Sequence, residues 1–247
     1  PLVTVGLGMC AGIGFIAPIS AGREVGGRKA FPWYGFALSA VLFNLGQLIG
    51  DTASDIPHSP SAADVFFVAG YIALNLSALQ LIRLRSHSRR RADVVDAMTV
   101  ALIVGVVLWA TVMGDLVTNP SIPESIRATS TAYFFLALTL FALTTRLAVG
   151  PGARSPSYYL IAASVAFVFL AELFHILNAV GVFRNDFATA TAAGIYSLAA
   201  AGSLHSSRRQ LTEPAEDELA ATPTRRRLLL LGAALLVGPI AIVLGAD

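Results

Sequence analysis

The chain has 247 residues, of which 55 % are hydrophobic and 13 % charged, with a mean hydropathy of +0.71 and a formal net charge of +2. A chain this apolar cannot clothe itself in a water-soluble surface, so it reads as an integral membrane protein whose first partner is the lipid bilayer. The small net charge gives no reason to expect a nucleic-acid partner; the placement of the charges is informative where their sum is not.

A helix needs ~20 apolar residues to cross a hydrocarbon core of ~30 Å. Charge-poor stretches of that order recur at residues 2 to 22, 31 to 50, 63 to 82, 97 to 119, 128 to 145, 157 to 183, 187 to 204 and 228 to 246. Runs such as VVDAMTVALIVGVVLWATVM are apolar on all sides, whereas a transmembrane strand would alternate apolar and polar residues. The expected fold is therefore all-α, a single polytopic transmembrane helical domain over residues 1–247 with about eight spans. The lone Cys10 falls in the first span and forms no disulfide within the chain.

Basic residues follow every second span. Arg23, Arg28 and Lys29 come after span one, Arg83 to Arg91 after span three, Arg146 and Arg154 after span five, and Arg208 to Arg227 after span seven. By alternation these connections share one side, and only Arg127 and Arg184 lie on the other. Lys and Arg accumulate in cytoplasmic loops, so the expected location is the cell inner or plasma membrane with the basic loops cytoplasmic. Short connections make sequential helices antiparallel neighbours. The one long connection, at about 205 to 227, is expected to be a mobile cytoplasmic loop. ADVFFVAGY at 63 to 71 and TAYFFLALT at 131 to 139 hint at a helical-hairpin repeat. Because the sequence starts within an apolar run, it is expected to be an excerpt of a longer chain.

The polar residues inside this apolar background come in a definite order. Asp51 closes span two; Asp64 opens span three, three residues after Ser61, which is the spacing of a capping box. Asp115 lies near the outer end of span four. On span six, Glu172, His175 and Asn178 share one helical face as the stripe EXXHXXN. A carboxylate near the bilayer centre costs at least ~2.5 to 3.5 kcal/mol, so Glu172 must face protein or water. Counted from Tyr158 at ~1.5 Å per residue, it sits about 21 Å along the span, just beyond the midplane.

These residues suggest an outward-facing acidic pocket for an unknown small ligand or ion, formed by Glu172, His175, Asn178, Asp115, Asp51 and Asp64. The competing reading makes Glu172 and His175 an internal hydrogen-bonded pair, Asp64 a helix cap, and Asp51 and Asp115 solvated interface groups. An ExxH pair also occurs in di-iron bundles, but those need further carboxylates and a second ExxH, so no metal is expected. His175 and His205 lie at opposite depths, which argues against a haem between them. Asn44, Gln47, Asn75 and Gln80 can bond across helices, and Trp33, Tyr34, Tyr158 and Tyr159 are placed for an inner aromatic belt. The chain contains no Walker loop, dinucleotide fingerprint, HExxH, GxSxG or CxxC. It is expected to carry neither catalysis nor a cofactor.

The run GDTASDIPHSPSAADVFFVAGYIALNLSALQLIRLRSHSRRRADVVDAMTVALIVGVVLW resembles the multi-span N-terminal membrane region of actinobacterial GGDEF and EAL signalling proteins. Asp51, Asp64, Tyr71, Asp96 and Trp109 fall on its motif positions. AELFHILNAVGVF, AAAGSLHSSRRQLTEP and TRRRLLLLGAALLVGP resemble later segments of the same region, with Glu172 where the family usually has Asp. The resemblance implies a sensory input module regulating a cytoplasmic output domain in cis that makes or degrades cyclic di-GMP. A secondary transporter for a small solute or cation, and a passive anchor that dimerises its output domains, are the alternatives.

Overall fold

The computed structural model describes residues 2–52, 61–85, 91–149, 154–179 and 186–213; the side chains of residues 2–9, 51, 52, 91–93, 149, 176–179 and 186–190 are outside that description. Among the described residues every regular element is helical. The α-helices are α1 (Leu2–Val25), α2 (Phe31–Thr52), α3 (Ala62–Arg85), α4 (Arg91–Leu108), α5 (Gly114–Thr118), α6 (Glu124–Val149), α7 (Pro156–Ala179) and α8 (Asp186–Leu204). A π-helical turn, Trp109–Met113, joins α4 to α5, and a 3₁₀ turn, Ser206–Thr212, follows α8.

Five stretches among the described residues are long and apolar enough to cross a membrane: Gly27–Gly50, Ala62–Arg85, Val94–Thr118, Glu124–Ala148 and Pro156–His175. This is fewer than the eight spans expected from sequence. The expected eighth, 228 to 246, lies outside the described residues, and α1 is described at its side chains only from Cys10 onward. The seventh is α8, a helix of 19 residues whose side chains are described only from Thr191 onward. Gly26, at φ 68°, ends α1 in the left-handed conformation that glycine adopts without a Cβ clash, and its N–H donates to the Gly22 carbonyl at 2.9 Å.

Six helices close a ring. α1 packs on α2, α2 on α3, α3 on α6, α6 on α7, α7 on α8, and α8 returns to α1. α4 lies outside this ring against α6, so the simple rule of sequential neighbours fails between α3 and α4. The α3–α6 pairing rests on polar bonds that lipid cannot replace: Asn75 Nδ2 donates to the Leu136 carbonyl at 3.3 Å, and the Tyr133 hydroxyl donates to Asp64 Oδ1 at 2.6 Å. These contacts advance along both helices in the same sense, so α3 and α6, which carry the two copies of the faint repeat, run parallel.

Without water to drive helices together inside a bilayer, close packing decides which faces meet. Between α2 and α3 the fit is reciprocal. A Cβ on Gly46 would come within 3.0 Å of the Phe67 ring, and a Cβ on Gly70 within 3.0 Å of the Phe43 ring. Each ring lies over the other helix's glycine.

The two ends of the ring differ. At one end most of the described basic residues gather: Arg208 pairs with Glu24, Arg85 Nη1 donates to the Leu211 carbonyl at 3.4 Å, and its guanidinium sits 5.1 Å from the Tyr158 ring centroid. The 3₁₀ turn closes this end, with Leu211 and Thr212 buried and the Ser157 N–H donating to Ser207 Oγ at 3.2 Å. Residues 206–212 are thus docked rather than free, correcting the expectation for the first part of the 205 to 227 loop: Leu211 has an apolar seat to fill. The aromatic belt is corrected as well. Tyr34 and Tyr159 are exposed as expected, but Trp33 and Tyr158 are buried in the core.

Candidate functional site

At the opposite end the ring encloses a cavity of about 430 Å³. α2 contributes Phe43, Asn44 and Gln47 to its wall, α3 contributes Asp64, Phe67 and Tyr71, and α6 contributes Tyr133. α7 adds Ala171, Glu172 and His175, while α8 adds Ala192 and Tyr196. A second cleft of about 30 Å³, lined by Gly14, Ser39 and Leu74 among others, shares Phe43, Val168, Ile195 and Tyr196 with it.

Glu172 is buried, with 8 % of its surface exposed. Its Oε2 accepts the Tyr71 hydroxyl at 2.9 Å, a bond that joins α7 to α3 across the ring. Its Oε1 has no hydrogen-bond partner among the described residues. Buried carboxylate oxygens are almost always paired, because an unpaired one keeps the full cost of leaving water. The hydrogen bond of Glu172 therefore goes to Tyr71 rather than to His175. His175 lines the cavity from one turn further on and is exposed.

Asp64 has two tasks. Its Oδ2 accepts from the Ser61 N–H at 2.6 Å and from Ser61 Oγ at 3.0 Å, while the Asp64 N–H donates back to the Ser61 carbonyl at 3.1 Å. This ties off the start of α3 as the Ser61 spacing predicts. Its Oδ1 accepts from Tyr133. Asp64 is both a cap and part of the cavity wall, so the two readings of this residue do not compete.

The aromatic side chains form one contiguous wall. Phe43 meets Tyr71 edge-on at 5.2 Å between centroids, Phe67 meets Tyr133 edge-on at 6.5 Å, and Tyr71 and Tyr133 lie 6.1 Å apart. Across the cavity, Tyr196 is hydrogen-bonded with Asn44, whose Nδ2 also donates to the Ala40 carbonyl at 2.7 Å. Sequence reading singled out neither Tyr133 nor Tyr196, nor did it assign Tyr71 a place in the pocket. The one signal for Tyr133 was the repeat at 131 to 139, which set α6 beside α3.

Of the other expected pocket residues, Asp115 is exposed and does not line the cavity. The reason is topological: α4, the π-turn and α5 lie outside the ring, and none of their described side chains lines the cavity. The side chains of Asp51 and Asn178 lie outside the described residues. Behind Glu172 a crevice of about 10 Å³ is lined by Leu108, Val112 and Met113 at the π-turn and by Phe134 and Leu173. Among the described residues no group of three His, Cys, Asp or Glu side chains is placed to hold a metal ion.

No protein-family model matches the chain, and neither a curated protein nor a solved structure is found similar to it.

Proposed function

We propose that the chain is a membrane-embedded sensory input module whose outer cavity takes up a small polar ligand and whose basic end faces the cytoplasm. The observation that carries this reading is the cavity itself. At about 430 Å³ it lies within the usual range for small-molecule sites, and at its wall stands a buried carboxylate with one oxygen that has no partner among the described residues. The clustering of Arg and Lys at the other end supports the orientation.

The same two helices that hold Glu172 also reach the far end. α3 carries Tyr71 at the cavity and Arg85 at the basic end; α7 carries Glu172 at the cavity and Tyr158 at the basic end. Two braces therefore cross the ring between α3 and α7. A ligand that engages Glu172 competes with the outer brace and shifts the balance of α3–α7 arrangements; the inner brace also holds the 3₁₀ turn through Leu211. In the full-length protein the output would be cyclic di-GMP synthesis or hydrolysis, as the sequence resemblance implies.

The test is to measure cellular cyclic di-GMP produced by the full-length protein carrying Glu172→Gln, and by a version whose membrane region is replaced with an unrelated helical anchor. A changed level in both supports a sensory role. Unchanged output from the anchor swap would reduce the region to a passive dimerising anchor.

A further inference from the structure

We infer that the ligand of this cavity is a small organic cation, a protonated amine or quaternary ammonium, held by Glu172 as counter-charge against the aromatic wall. The inference rests on reading the cavity as a ligand site and goes beyond it by fixing the ligand's charge and chemistry.

Charge narrows the choice of ligand first. Two carboxylates line the cavity and, among the described residues, no Lys or Arg does. An anion would meet uncompensated negative charge in a setting of low dielectric, where that repulsion is only weakly screened. Asp64 has both oxygens engaged, one by Ser61 and one by Tyr133. Glu172 does not, because Tyr71 satisfies Oε2 alone. Among the described residues the carboxylate oxygen left open in the cavity is therefore Oε1 of Glu172, with the exposed His175 one helical turn away.

The wall narrows it further. Phe43, Phe67, Tyr71 and Tyr133 form the connected ring network already described, and Tyr196 closes the opposite side. Aromatic faces carry the negative lobe of the ring quadrupole and attract alkylammonium groups, the more so when water is excluded. A bare inorganic cation would gain little from such faces and wants several oxygens converging on one point. The described residues supply no such cluster, and the cavity is much larger than an ion. An uncharged apolar solute would fill the volume but leave Glu172 without a partner. The combination selects a cation with an organic body.

Isothermal titration of the purified full chain in detergent tests this, with benzyltrimethylammonium as the cationic probe, choline paired with its uncharged carbon isostere 3,3-dimethylbutan-1-ol, and benzoate as the anion. The expected result is saturable binding of benzyltrimethylammonium, weakened at least tenfold by Glu172→Gln. Choline is expected to bind at least tenfold more tightly than its neutral isostere, and benzoate not to bind. Ala192→Phe, which fills the cavity without touching the carboxylate, is expected to abolish binding while the protein still elutes as a single folded species. Absence of saturable binding by either cation, equal affinity for choline and its isostere, or binding of benzoate would each overturn the inference. Cation binding combined with an unaltered cyclic di-GMP response to Glu172→Gln would leave the ligand class standing and remove the sensory reading. A cellular response that Ala192→Phe abolishes, with no cation bound, would do the reverse.

Discussion

The two ends of the ring solve the same problem, buried polar groups inside an apolar bundle, in opposite ways. At the basic end the polar groups are closed in by the chain: Ser157 Oγ donates to the Gly202 carbonyl at 2.6 Å, His205 caps the 3₁₀ turn through Ser207, and Leu211 fills the space beneath. At the cavity end the polar groups are held in place by tyrosine hydroxyls but left facing a space that no side chain among the described residues fills. A site of low packing with a preset carboxylate is what recognition of an outside molecule requires, at some cost in stability.

That contrast can be broken most severely at the closed end. Trp33 is fully buried among α2 and its neighbours. Trp33→Ala is expected to destabilise the fold by about 2–4 kcal/mol, below or near the soluble-protein range because lipid rather than water is the reference. Unfolding by added sodium dodecyl sulfate, followed by circular dichroism, measures it. Leu211→Ala should cost about 2 kcal/mol by the same assay and expose the 3₁₀ turn to proteolysis, leaving the cavity end and its binding intact.

At the cavity end the effects on stability are expected to be smaller and those on binding larger. Tyr71→Phe removes one hydrogen bond to a carboxylate and is expected to cost about 1–3 kcal/mol. Glu172→Gln keeps an acceptor for Tyr71, so its unfolding midpoint should stay within about 1 kcal/mol of the parent while cation binding is lost. A large destabilisation by Glu172→Gln would mean that the carboxylate is a structural brace and erase the difference between the two ends.

The smallest effect is expected at the surface pair. Arg208, hydrogen-bonded to Glu24, holds that carboxyl below the ordinary range. A carboxyl depressed in the folded state stabilises above its unfolded pKa, and the contribution fades as pH falls through the folded value. The stability difference between parent and Glu24→Gln should therefore be present at neutral pH, shrink with acid, and diminish with salt.

Sequence alone went some way toward this picture. Hydropathy located most of the helices because an unbroken apolar run has only one low-energy form in a bilayer. The Ser61–Asp64 cap is a local bond, so its spacing was readable, and the cost of a lipid-exposed carboxylate was enough to turn Glu172 inward. The partner of Glu172 was not readable: Tyr71 is 101 positions away, and which helix meets α7 depends on how the ring closes. The outward displacement of α4, which leaves Asp115 exposed, has the same origin. Arg85 looked like one more loop cation, yet it is buried beside Tyr158 and Leu211, because the residues that cover it arrive from two distant segments, Leu211 being 126 positions away.

The central claim is that the cavity opens to the exterior and prefers positive charge, and cysteine modification reads both at once. With Cys10→Ser removing the only native thiol, Ala192→Cys places a thiol on the cavity wall. In intact cells, a membrane-impermeant methanethiosulfonate bearing a trimethylammonium group should modify it at least tenfold faster than the sulfonate-bearing analogue, and benzyltrimethylammonium should slow the reaction. Modification only after the membrane is opened, or equal rates for the two reagents, would contradict the account.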